Sequence, residues 1–281
     1  MAVLSPTVAQ RRLARELRRL RLDSGLTIEQ AAERLELSPS TISRMETAQV
    51  GVKRRDVREL LDLYEVTGAQ REHLLRLAGE SRQHAWWHEF KDLPNLPLAS
   101  LEAGAASIWQ YSALLIPGLL QTEEYAREVL RKIRLDATRD DIERRLRLRM
   151  KRQALLTDEN APQFWAVLDE AVLRRRVGGR QVMRQQLERL IDATALPSVT
   201  LQVLPFASGA HAAMDGEFTL LHYPADPDVV FIENTGGDVY LEDPDVTRRY
   251  TSIFDHLRAT ALDPAESVRI LAATKDELER S

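Results

Sequence analysis

The stretch from Thr27 to Glu46, Thr-Ile-Glu-Gln-Ala-Ala-Glu-Arg-Leu-Glu-Leu-Ser-Pro-Ser-Thr-Ile-Ser-Arg-Met-Glu, constrains the fold more tightly than any other part of the chain. Thr27 carries a hydroxyl able to cap a helix, and Gln30 stands where its amide returns the bond. Ile28, Ala31, Ala32 and Leu35 fall at helical spacing on one face, and the two alanines let a second helix approach closely. Glu36-Leu37 makes the turn, with Leu37 as the apolar plug between the helices. Ser38 caps the second helix, Pro39 takes the first helical position, where no amide is needed, and Ile42 and Met45 point inward. Ser40, Thr41, Ser43 and Arg44 are left on the outer side. Two short helices joined by a tight turn, the second polar on its free face, have the dimensions of a DNA major groove.

The pattern continues on both sides. Val8 to Ser24 reads as a helix with Leu13, Leu17 and Leu20 on one face and arginines on the other, stopped at Ser24-Gly25. Val57, Leu60, Leu61 and Tyr64 mark a further amphipathic helix, and Leu74, Leu75 and Leu77 one more before Gly79. Five short helices in about 80 residues make a plausible single domain. Charge is divided in the same place. The chain has a net charge of −4, yet residues 1–58 hold twelve basic against seven acidic side chains, net +5, leaving −9 for the rest. A basic front on an acidic body is the asymmetry expected of a tethered reader of double-stranded DNA, since phosphate attraction supplies most non-specific affinity.

These residues resemble the Cro/repressor-type, or XRE, helix-turn-helix family. The resemblance implies a recognition helix opening at Ser38, with Ser40, Thr41, Ser43 and Arg44 toward the bases. A guanidinium bonds bidentately to guanine O6 and N7, so Arg44 is the candidate base reader. Ser40 and Ser43 are short and touch DNA only where the helix lies close, while Thr41 is either a thymine-methyl contact or a phosphate donor. Lys53, Arg54 and Arg55 are candidates for the phosphate backbone, together with the amide end of the helix at Ser38 to Ser40. Many family members carry glutamine just after the Thr27 position to clasp a phosphate; here that residue is Ile28, and Arg11 or Arg12 is the candidate substitute.

With 281 residues, two domains are expected, 1–80 and 81–281, residues 81–98 forming a connector. The absence of cysteine removes disulfides, thiolate metal sites and cysteine nucleophiles. No apolar run approaches the roughly 18 residues of a membrane span, and no secretory pattern opens the chain, so a cytoplasmic protein without membrane contact is expected. Beyond the connector, helices are expected over Leu98 to Ile108, Thr122 to Ile133, Arg139 to Leu156, Gly179 to Ile191, Pro244 to Leu262 and Pro264 to Glu279. Phe164 to Leu168, Ser198 to Leu204, Glu217 to Leu221, Val229 to Ile232 and Val239 to Leu241 read as strands of a small sheet. The expected fold is an all-α, five-helix N-terminal domain followed by a larger α+β or α/β domain.

Gly-Leu-Leu-Gln-Thr-Glu-Glu-Tyr-Ala (118–126), Trp-Ala-Val-Leu-Asp-Glu-Ala-Val-Leu-Arg (165–174), Val-Leu-Pro-Phe (203–206) and Asp-Val-Tyr-Leu-Glu-Asp-Pro (238–244) resemble an actinobacterial, antitoxin-like group. Its members pair an XRE-type reader with a C-terminal domain of unassigned function, and their genes commonly adjoin one for a very small acidic protein. The resemblance implies a homodimeric transcription regulator whose C-terminal domain takes a partner protein or an effector. The alternative it leaves is an antitoxin that neutralises a small partner and represses its own operon. No cofactor, metal or catalytic residue is expected. His84 and His88 lack the glutamate between them of a zincin and an evident third ligand. Ser208, His211 and Asp215 crowd one loop without a nucleophile elbow. The acidic run Glu233, Asp238, Glu242, Asp243 and Asp245 contains an ordinary helix start at Asp243-Pro244. Trp109, Tyr111 and Phe206 are either core or the lining of a ligand pocket.

Overall fold

Local capping sets most helix ends, and the computed structural model shows it directly; it describes residues 8–48, 50, 52–80, 90, 96–224, 226–235 and 237–280. The first unit contains α1 (Val8–Asp23), α2 (Ile28–Arg34), α3 (Pro39–Glu46), α4 (Arg54–Leu63), α5 (Gly68–Glu80) and α6 (Leu96–Gly104). Leu13, Leu17 and Leu20 from α1, Ile42 and Met45 from α3, and Val57, Leu60 and Leu61 from α4 meet in one core with Leu74, Leu75 and Leu77 of α5. Helix α5 runs through Gly79 to Glu80 instead of stopping before the glycine, because α1 and α4 pack along it. Helix α6 contacts α1, and the chain divides into two compact units after Gly104. The connector residues His84, Trp86, Trp87 and His88 lie outside the described residues.

The second unit contains β1 (Ser107–Ser112), α7 (Glu123–Ile133), α8 (Arg139–Gln153), β2 (Gln163–Asp169), α9 (Glu170–Arg174), α10 (Arg180–Ala193), β3 (Val199–Leu204), β4 (Phe218–His222), β5 (Val229–Ile232), β6 (Val239–Leu241), α11 (Pro244–Thr260) and α12 (Pro264–Arg280). The strands form one sheet in the order β3-β2-β1-β4-β5-β6. Strands β1, β2 and β3 are parallel and joined by helical crossovers, whereas β4, β5 and β6 run antiparallel. Half the sheet thus follows the α/β plan and half the antiparallel plan.

Two expectations change here. The helix expected over Leu98 to Ile108 ends at Gly104, and Ser107–Ser112 becomes a sixth strand near the middle of the sheet, so the sheet is not small. Only Ile108, Tyr111 and Ser112 of β1 are buried, so its polarity lacks the simple alternation of a half-exposed strand. After β1, Pro117 opens a single 3-10 turn, Gly118–Leu120.

The sheet is covered on both faces. Tyr111, Val167, Phe218, Leu220 and Val230 pack with Phe254 and Leu257 of α11. Alternation sends Ile108, Phe164, Ala166 and Leu168 to the other face, where they are almost completely buried.

Candidate nucleic-acid interface

The turn between α2 and α3 is built as its residues require. Thr27 Oγ1 accepts the Gln30 amide at 3.2 Å and Gln30 Oε1 accepts the Thr27 amide at 2.9 Å, closing a reciprocal capping box. Glu36 adopts a left-handed conformation with φ 54°, and the Leu37 amide donates back to Ala32 O at 2.9 Å. That bond seals the end of α2 and turns the chain into α3. Ala31 and Ala32 are buried, with Ile28, Leu35 and Leu37 half-buried around them.

At the start of α3, Ser38 Oγ accepts the Thr41 amide at 3.2 Å. The same oxygen lies 2.9 Å from Ser40 Oγ and 2.8 Å from Thr41 Oγ1, so three hydroxyls share one hydrogen-bond cluster at the helix N-terminus. Arg44 is exposed, and its Nε donates to Ser40 O at 3.2 Å, which lays the guanidinium back along the helix toward those hydroxyls. Ser40 is exposed, whereas Thr41 and Ser43 are half-buried. The free face of α3 is therefore narrower than the sequence implies.

Lys53, Arg54 and Arg55 are exposed at the N-terminus of α4, Lys53 as its cap residue. Cations at that end oppose the helix dipole, so local stability does not account for them. Arg55 is partly answered by Glu59 at 3.2 Å; Lys53 and Arg54 form no ion pair among the described residues. Arg11 and Arg12 are half-buried on α1. The basic face of α1 also needs correction. Arg21 is not a solvent cation but is buried against Glu46, and Arg19 is held between Glu16 and Asp23. Spacing puts Arg21 among the other arginines; only the packing of α1 on α3 takes it out of solvent.

In the second unit the sequence groupings come apart. His211 does not join Ser208 and Asp215. Its Nε2 lies 3.3 Å from Tyr111 Oη and 3.9 Å from Asp169 Oδ2, while its Nδ1 accepts the Ala213 amide at 3.3 Å. Asp169 and burial push the Tyr111 hydroxyl well above its ordinary range, burial being the larger cause. Trp109 stacks on Phe254 with ring centroids 5.2 Å apart and Tyr111 is buried, so both are core, while Phe206 is exposed and apart from them. Asp243 caps α11 by accepting the Asp245 and Val246 amides, and Asp245 pairs with Arg248. Among the described residues no group of three or more His, Asp or Glu is arranged to hold a metal ion, and no helix is long and apolar enough to cross a membrane.

Residues 96–273 match the family described as Domain of unknown function (DUF5753). The chain belongs to this family. Within it, the DUF5753 region spans α6 and all six strands and ends inside α12. Residues 12–74 match a second model, described as Helix-turn-helix domain, which contains α2, α3 and α4 entire. The helix-turn-helix domain implies DNA binding, and in this DUF5753 chain it carries the capped α3 and the cations of α4. No curated protein and no solved structure matches the chain.

Proposed function

We propose that the protein is a sequence-specific, DNA-binding transcription regulator that acts as a dimer and whose DUF5753 domain takes a partner or an effector. The observation that carries this reading is the arrangement at α3. A helix N-terminus rich in hydroxyls is followed on the same face by Arg44, and Lys53 and Arg54, without an ion pair among the described residues, stand at the start of the next helix. Ser38, Ser40, Thr41 and the amides beside them hold phosphate, Arg44 reads a guanine edge, and Lys53, Arg54 and Arg55 fix the backbone.

A single recognition helix spans few base pairs. Two copies on half-sites about one helical turn, roughly 34 Å, apart multiply that discrimination, which is the reason for assigning a dimer. The test is binding of the purified full-length chain to the DNA upstream of its own gene, against random DNA of equal length, across a salt series. Preferential binding with a steep salt slope supports the reading. Equal binding to both DNAs overturns sequence-specific recognition, and light scattering that finds one chain per site overturns the dimer.

A further inference from the structure

Strands β1, β2 and β3 are parallel, so their carboxyl ends lie along one edge of the sheet, and β4, antiparallel to β1, begins at that edge with Phe218 opposite Tyr111. The crossovers leave β1 toward β2 and β3, while β4 lies on the other side of β1. The strand order therefore reverses between β1 and β4, the place where open sheets with helical crossovers leave a crevice for ligands. Residues 113–121, 169–175 and 205–217 all gather there.

Arg149 of α8 reaches into this region. Its Nη1 donates to Gln121 Oε1 at 2.7 Å, a neutral acceptor, and among the described residues no carboxylate lies within ion-pair distance of its guanidinium. Gln121 is itself locked, its Nε2 donating to Ile116 O at 2.6 Å and its carbonyl accepting Gln153 Nε2 at 2.6 Å. The guanidinium is thus held by one of its five donors and keeps partial solvent access. Its Nε faces Gly118, where a side-chain Cβ would stand 3.8 Å away. A half-buried cation with no carboxylate in direct contact, Glu233 acting on it only at longer range, is costly, and glutamine would serve Gln121 equally well. Burial, with Arg152 and Arg134 nearby, brings the Arg149 pKa down to about 10. Arg175, exposed just past α9, acts with Arg149 on the hydroxyl of Tyr125.

We propose that the crevice at the carboxyl end of β1, where the strand order reverses toward β4, binds a small molecule through a carboxylate or phosphate group held by Arg149, with Arg175, from the segment after β2, at its rim. A guanidinium fork matches either oxyanion bidentately, and the incoming charge removes the cost of the unpaired cation. The remainder of the ligand lies toward loop 205–217, where Phe206 and Met214 are exposed, as is Leu114 in the loop after β1. As the signal received by the DUF5753 domain this rests on the regulator reading; as a binding site it does not.

The test is isothermal titration calorimetry of the full-length protein, without DNA and at constant ionic strength, with inorganic phosphate in one arm and citrate in the other. Saturable uptake of either anion is expected, the preferred arm distinguishing a phosphorylated ligand from a carboxylate. Arg149→Gln should weaken it by about tenfold or more, and Arg147→Gln, on an exposed position of the same helix, should leave it unchanged. Should Arg149→Gln fail to fold by circular dichroism, Arg175→Gln decides, a severalfold weakening being expected. Absence of saturable uptake in both arms, or equal uptake by the wild type and whichever arginine variant folds, overturns the site. Loss of sequence-specific DNA binding with anion uptake intact overturns the regulator reading alone.

Discussion

Arg21 and Glu46 meet fork to fork, Nε to Oε1 at 2.7 Å and Nη2 to Oε2 at 2.9 Å, and join the last turn of α1 to the last residue of α3. Both side chains are nearly inaccessible, at 7% and 5% exposure. Arg21 Nη1 also donates to Leu26 O at 2.8 Å, in the loop that enters α2. One guanidinium therefore fixes the pitch of the candidate recognition helix against the helix before it. Glu46→Ala strands a buried cation and should cost about 3–5 kcal/mol of stability. Urea denaturation reads the loss, and the double variant Arg21→Met with Glu46→Leu should cost less than Glu46→Ala alone.

Arg44 and Lys53 separate base reading from backbone anchoring. Arg44→Ala should lose about 1–3 kcal/mol on the cognate sequence and little on random DNA. Lys53→Ala should weaken both alike and flatten the salt slope by about one. Fluorescence anisotropy with both DNAs at several salt concentrations measures each effect, and equal losses on the two DNAs for Arg44→Ala would sink its assignment.

Glu217 is half-buried just before β4 and accepts the Ala113 amide at 3.2 Å. Burial raises its pKa above the ordinary 4.5, outweighing the backbone donors that lower it. The folded state thus favours the protonated acid, a contribution complete below the ordinary value and lost as pH rises through the higher folded value. Glu217→Gln, which mimics the protonated form, should be more stable than the wild type near neutral pH. Melting curves from roughly pH 4 to pH 8 should show that gap closing toward the acid end.

Gln186 of α10 uses both ends of its amide on the segment after β1, donating to Leu120 O at 2.8 Å and accepting the Thr122 amide at 2.7 Å. It has no solvent exposure. Gln186→Leu strands two backbone groups and should cost about 2–4 kcal/mol, read as a lower urea midpoint.

Helices α1 to α5 were legible because every signal for them is local. The Thr27 and Ser38 caps, the Glu36-Leu37 turn and the apolar faces act over at most four residues, and the structure keeps each of them. The later strands were legible for the same reason, bounded by turns and marked by β-branched and aromatic residues. Strand β1 was not, because a strand with neighbours on both edges and helices over both faces shows no period of two. The candidate DNA contacts could be named from spacing, but their exposure could not: Arg21 and Arg44 look alike along the chain and differ wholly in their surroundings.

Sequence by itself determined the secondary elements of the reader, the split between a basic front and an acidic body, and the presence of a second domain holding a sheet. Tertiary structure alone decided which charges are spent and which remain. It buried Arg21 on Glu46, 25 residues away, set His211 beside Tyr111, 100 residues away, and bonded the Arg149 guanidinium to the neutral amide of Gln121, 28 residues away. Caps and periods act between neighbours in the chain, whereas the fate of a charge depends on what the packed helices and the strand order bring within a few ångströms of it.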